Sequence, residues 1–181
     1  MKKLMPVFCI IAVIVLIFVV VVAMRPSDFR ITRSAKISAP PEKIFPNVNE
    51  LRLWEPWSPW AKLDPNAKNS FAGPASGVGS AMAWSGNNEV GEGRMTITES
   101  RANESVRFRL DFERPMKASN MAEFTFKPEG NQTEVTWTMS GKNGFVGKAF
   151  SLFVDCDKMV GRQFEQGLAS LKSVAESAAK Q

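Results

Sequence analysis

Ser105-Val106-Arg107-Phe108-Arg109-Leu110-Asp111-Phe112-Glu113 is the stretch that decides the fold class. Its apolar side chains fill positions 106, 108, 110 and 112 and its charges fill 107, 109, 111 and 113. That period of two is what a β-strand sorts onto opposite faces, one buried and one wet. The alternation recurs outward on both sides. It appears in Met95 with Ile97, Met82 with Trp84, and Ile31 with Ala35 and Ile37 upstream, and in Phe124 with Phe126 and Val135 with Trp137 and Met139 downstream. The turns Arg101-Ala102-Asn103 and Pro128-Glu129-Gly130-Asn131 are too short to carry a crossover helix, so the spacing predicts an antiparallel sheet of six or seven strands.

Two helical regions frame the sheet. Pro40-Pro41-Glu42-Lys43-Ile44-Phe45 opens with prolines where a helix tolerates them, and Pro46 is expected to keep that helix short. From Phe145 to Ala178 the period changes: Phe153, Cys156, Val160, Phe164, Leu168, Leu171, Val174 and Ala178 recur every three or four residues. One unbroken rod of that span would be about 50 Å long at 1.5 Å per residue, so a break is expected between Phe153 and Asp157. A curved sheet must bury its apolar face on something, and the long C-terminal helix is the element with enough apolar stripe to fill it. The plan is α+β.

The N-terminal residues stand apart. After Lys2 and Lys3, residues 4–24 carry no charge, and as a helix they reach about 30 Å, the thickness of a bilayer core. Residues 1–24 are therefore read as a transmembrane anchor or a signal sequence, the apolar length fitting the anchor better. The basic leader places the following domain on the exported, periplasmic or extracellular side of a single-pass membrane protein, although Arg25, Arg30, Arg33 and Lys36 pull the other way. Residues 25–181 suit one domain with a sizeable core.

Composition closes several doors. The 181 residues contain no His, so Ser-His-Asp and Cys-His nucleophile pairs and His-containing zinc sites are excluded. The two thiols, Cys9 and Cys156, form neither a CxxC pair nor a metal cage. Setting Lys2 and Lys3 aside leaves 21 basic against 18 acidic residues, too mild an excess to argue a nucleic-acid partner.

Several quoted segments carry a resemblance. Ser38-Ala39-Pro40-Pro41-Glu42-Lys43-Ile44-Phe45 precedes Trp54-Glu55-Pro56-Trp57-Ser58-Pro59-Trp60. Then come Gly73-Pro74, Gly77-Val78-Gly79, Val90-Gly91-Glu92-Gly93-Arg94-Met95-Thr96-Ile97 and Val135-Thr136-Trp137. In this order, over roughly residues 28–176, the chain resembles the SRPBCC group, the polyketide cyclase/dehydrase and lipid-transport family of the START-like superfamily. The resemblance implies a helix-grip fold, in which the sheet wraps the last helix and leaves an apolar cavity between them. It implies no particular reaction, because the fold hosts ligand carriers and enzymes alike, and it implies no cofactor and no metal.

The candidate site follows from that expectation. Gly161 and Gly167 fall on the apolar stripe of the long helix, where each costs about 1 kcal/mol relative to alanine. They either thin the helix to form a cavity or allow close packing against the sheet. Trp54, Trp57 and Trp60, separated by Pro56 and Pro59, form a turn-rich loop that caps the core, gates a cavity or anchors the domain in a lipid interface. Trp84, Phe112 and Trp137 on inward strand positions, with Phe164 on the helix, are expected to touch an apolar ligand.

Groups suited to acid-base work are few. Glu92 lies in a glycine-rich strand start, and Asp155 and Asp157 are placed to favour a helix N-terminus. Arg33 shares the phase of Ile31 and Ile37, and it points inward to a carboxylate or head group, or outward at an irregular strand start, the second fitting an isolated guanidinium better. The sequence thus points to membrane-tethered binding of a hydrophobic small molecule or lipid. The alternatives are a cyclase or hydrolase using an Asp or Glu, and a partner-binding envelope protein without ligand.

Overall fold

The computed structural model describes residues 5–179. Helix α1 (Met5–Met24) leads into strand β1 (Asp28–Ile37) and helix α2 (Pro41–Asn49). Two short 3-10 turns, Leu51–Trp54 and Trp60–Lys62, carry the chain to β2 (Lys68–Ala72). Strands β3 (Ala81–Ser85), β4 (Glu92–Arg101), β5 (Ser105–Arg114), β6 (Ala118–Glu129) and β7 (Gln132–Lys142) follow as a meander, then helices α3 (Phe145–Phe150) and α4 (Cys156–Ala179). The strands form one antiparallel sheet in the order β1-β7-β6-β5-β4-β3-β2.

Each strand was foreseeable from its alternation except β2, whose five side chains are all exposed. It lies at the sheet edge opposite β1, on which α4 packs, and with no buried face it carries no period-two pattern of burial. The register aligns the inner side chains across the sheet: Arg33 opposite Trp137, Trp137 opposite Phe124, Ala122 opposite Phe108, and Ile97 opposite Phe108 on its other side.

Pro46 does not end α2. The helix continues to Asn49, and Glu50 N–H donates to Pro46 O at 3.0 Å. Pro46 has no N–H to offer the Glu42 carbonyl, so the helix gives up that one bond and runs three residues further. The anticipated break in the C-terminal helix is a turn at residues 151–154 between α3 and α4. Asp155 starts α4 by accepting a hydrogen bond from Lys158 N–H at 2.9 Å, an N-cap.

The core lies between the inner sheet face, α2 and α4. Ile37, Ile44, Val48, Leu51, Trp57, Val106, Phe108, Phe124, Leu168 and Leu171 are buried almost completely. Helix α4 rests chiefly on β1, and its polar links run the same way. Asp157 and Glu165 meet Arg33, Lys172 Nζ donates to Lys36 O at 2.9 Å, and Glu176 Oε1 accepts from Ser38 N–H at 2.7 Å.

The expectation of a membrane-spanning segment over residues 4–24, and with it a single-pass protein with an exported domain, is overturned: among the described residues no helix is long and apolar enough to cross a membrane. Residue 4 of that expected segment lies outside the described residues. The end of α1 packs on the rest of the molecule instead. Val22 is fully buried, Phe18 stacks on Phe153 with ring centroids 6.5 Å apart, and Lys148 Nζ donates to Ala23 O at 3.4 Å.

Candidate functional site

Period-two alternation puts Trp137 of β7, Phe124 of β6 and Phe108 of β5 on the inner face, and α4 lays Phe164 over them. Trp137 and Phe164 stack at 4.1 Å with rings 5° apart, and Trp137 stacks on Phe124 at 4.6 Å. The loop after α2 adds its three indoles to this cluster. Trp54 and Trp57 lie 4.5 Å apart and both meet Trp137 and Phe124 edge to face. Trp60 meets Trp137 at 5.7 Å and Phe164 at 6.4 Å.

The loop is held by its own polar tips. Trp54 Nε1 donates to Val48 O at 3.0 Å and Trp57 Nε1 to Asn47 O at 3.1 Å, so each indole N–H satisfies a carbonyl at the end of α2. Both rings are buried, and only Trp60 keeps partial exposure. Five of the expected ligand-contacting residues, Trp54, Trp57, Trp60, Trp137 and Phe164, therefore form one aromatic cluster that fills the centre of the grip.

The two glycines of α4 serve that close packing. A Cβ on Gly167 would come 2.9 Å from Trp137 Cζ3 and 3.1 Å from Pro59 Cδ. A Cβ on Gly161 would run into the Arg33 guanidinium, 2.8 Å from Nε. The space that Gly161 and Gly167 leave is taken by side chains of the protein itself, so in this structure neither opens onto a cavity.

Arg33 stands on the inner phase of β1, where its strand position alone placed it, and not at an irregular, outward-turned strand start. Its Nε donates to Glu165 Oε1 at 2.7 Å, and Nη2 reaches Asp157 Oδ2 at 3.0 Å and Asp157 O at 3.2 Å. Its hydrogen bonds to Arg33 hold the Asp157 carboxyl below the usual carboxylate range. The guanidinium is saturated by these bonds and by Thr32 O.

Trp84 and Phe112 form a separate pair, edge to face at 5.7 Å, farther along the inner face. A Cβ on Gly93 would meet Trp84 Cζ2 at 2.6 Å, so the glycine is what lets the indole lie flat across β4. Trp84 Nε1 donates to Val90 O at 3.3 Å. Here the face is less well covered. Trp84, Leu110, Phe112 and Met139 are half-buried, whereas Val106 and Phe108 of β5 and Trp137 of β7 are buried. The difference follows from α4, which crosses toward β1 and leaves this end of the sheet partly open.

The sequence reading passed over two polar side chains, one of them, Asn120, on this face and the other on α4. Asn120 lies opposite Leu110 and Gly141, and its amide occupies the space where a Gly141 side chain would be. Gln163 of α4 has a buried Oε1 with no hydrogen-bond partner. An inner-phase polar residue just before Met121 and a glutamine beside Phe164 were the signals available.

Two clefts open elsewhere. One, about 750 Å³, lies between the start of α2, the β4–β5 turn and the β6–β7 turn and is lined by Pro40, Glu42, Asn103, Glu104 and Phe126 among others. The other, about 530 Å³, lies between Arg25–Phe29 and residues 151–157. Cys156 borders it, its thiol pushed up by burial and then by the neighbouring Asp155. Neither is lined by the tryptophans, Phe112 or Phe164. Glu92, the expected acid-base candidate, accepts from Arg114 Nε at 2.9 Å and lies outside both clefts.

This sheet wrapped on a terminal helix matches, over residues 28–176, the family model described as polyketide cyclase / dehydrase and lipid transport. The chain belongs to that family. Solved structures share the fold of this family member. A Mesorhizobium loti protein superposes with a TM-score of 0.61 at 16% identity, covering 82% of this chain and 98% of that one. The Aha1 dimer of Colwellia psychrerythraea gives 0.59 at 23%, covering 82% and 96%. A Chromobacterium violaceum protein gives 0.58 at 15%, covering 84% and 99%. No curated protein matches the chain. The family shows the helix-grip fold; at these identities the neighbours add the fold alone.

Proposed function

We propose that this family member binds a hydrophobic small molecule or lipid on the half-covered inner sheet face, against Trp84, Leu110, Phe112 and Met139. The supporting observation is their incomplete burial on a face whose other half is packed with aromatics. Apolar side chains left half-wet in a concavity gain roughly 25 cal/mol for each Å² that a ligand covers. Trp60, the one loop indole with remaining exposure, is the group we assign to close over a bound molecule, with Trp54, Trp57, Trp137 and Phe164 as the floor behind it. The printed family description, lipid transport among its terms, agrees with an apolar cargo.

The test is native mass spectrometry of the full chain, isolated without detergent, followed by extraction and identification of bound species. A stoichiometric apolar adduct is the expected result. A bare protein mass, together with no quenching of tryptophan emission by added fatty alcohols or esters, overturns the proposal.

A further inference from the structure

The side chains of α4 divide into two edges. Asp157, Glu165, Lys172 and Glu176 form the edge turned to β1, where every one of them has a polar partner. Gln163 lies on the other edge, one turn from Val160 and one turn from Gly167, and Gly167 faces Pro59 and Trp137. The carboxamide oxygen is shut off from solvent and has no partner among the described residues.

An unpaired buried carbonyl oxygen is costly, and a native chain retains one where something else satisfies it. The charge around it is already spent. Arg33 is saturated by Asp157, Glu165 and Thr32, so no free cation faces the region from β1. Beyond β1 the inner sheet positions include Met139, the neutral amide of Asn120 and Leu110. A neutral donor suits this setting, and an anionic head group finds no counter-charge.

We propose that Gln163 Oε1 accepts a hydrogen bond from the ligand, so that the site selects amphiphiles with a neutral donor, a hydroxyl or an amide N–H, over carboxylates of equal chain length. This rests on the ligand-binding reading above and adds the chemistry of the head group. Movement of the Trp60 loop exposes the oxygen, since no donor reaches it in the closed arrangement.

Three probes with matched tails test it by quenching of tryptophan emission in the full chain: 1-decanol, decyl methyl ether and decanoate at pH 8. In the unsubstituted protein, 1-decanol should bind about 10-fold tighter than the ether, the worth of one net hydrogen bond, and tighter than decanoate. Gln163→Leu should abolish the alcohol-over-ether preference while leaving ether affinity within 2-fold. Unfolding by urea confirms that the variant is folded, and losing an unpaired polar atom should leave it as stable as the parent or more so. An alcohol preference that survives in Gln163→Leu, or decanoate binding as tightly as 1-decanol, overturns this inference and leaves the apolar site standing. Binding of none of the three probes overturns both.

Discussion

Replacing Gly167 by alanine separates close packing from open space in the middle of α4. At an uncrowded helix position the change would stabilise the chain by about 1 kcal/mol, because glycine is the poorer helix former. Here the new methyl would stand 2.9 Å from Trp137 Cζ3 and 3.1 Å from Pro59 Cδ. The indole cannot retreat, since Phe164 stacks on it at 4.1 Å and Phe124 at 4.6 Å. Forcing a methyl into such a core costs about 1–3 kcal/mol, which outweighs the helical gain. The net expectation is a loss of about 1 kcal/mol. Trp137→Phe removes the ring atoms that the methyl would strike, so in that background Gly167→Ala should become neutral or stabilising. Urea unfolding of the parent, both single variants and the double variant closes the cycle. A gain of about 1 kcal/mol from Gly167→Ala in the parent, unchanged by Trp137→Phe, would refute the reasoning and put usable space in front of the helix.

Other expectations follow from the same packing. Gly161→Ala should lower the urea midpoint in the parent and raise it in an Arg33→Ala background, because the three atoms nearest the new methyl all belong to the guanidinium. Trp57→Ala should cost about 3–5 kcal/mol in equilibrium unfolding, the range for emptying a buried aromatic site, since the ring is fully buried. Asp157, Glu129 and Glu176 have carboxyls held below their ordinary range by hydrogen bonds to Arg33, to Lys36 and to the Ser38 backbone respectively. Their contribution is present in full above the usual carboxylate pKa of about 4 and is lost as pH falls through and below it. Urea midpoints measured from pH 6 down to pH 2.5 should therefore decline, and by less in Asp157→Asn. Cys156, with its thiol pushed up by burial, should react with a thiol-directed reagent at pH 7 more slowly than a free cysteine, with unfolding by urea restoring the ordinary rate.

The strands with one wet face were legible in the sequence because burial imposes the alternation that names them. Strand β2 was not, since an edge strand exposed on both sides obeys no such pattern. Pro46 was misleading for a different reason: proline removes one i−4 bond, and the residues after it can still carry the helix on, as the bond from Glu50 N–H to Pro46 O does. The candidate residues were found as aromatics on inward positions, yet their grouping was not, because the sequence does not say that the loop indoles descend into the grip. Periodicity marked Gly161 and Gly167 as unusual but could not name what fills the space, and only tertiary register pairs them with Arg33 and Trp137. Gln163 was invisible, because an unpaired oxygen is a property of surroundings and not of residue type.

The one-sided polar attachment of α4 gives the helix a built-in axis. Links to Arg33, Lys36 and Ser38 fasten its full length along β1, while the opposite edge is held by aromatic and aliphatic contact with Trp60, Pro59 and Trp137. A rotation about the fastened edge keeps every ion pair and parts only apolar surface, as a book opens from its spine. Under the ligand binding proposed above, admission of a guest would cost surface that the guest itself re-covers.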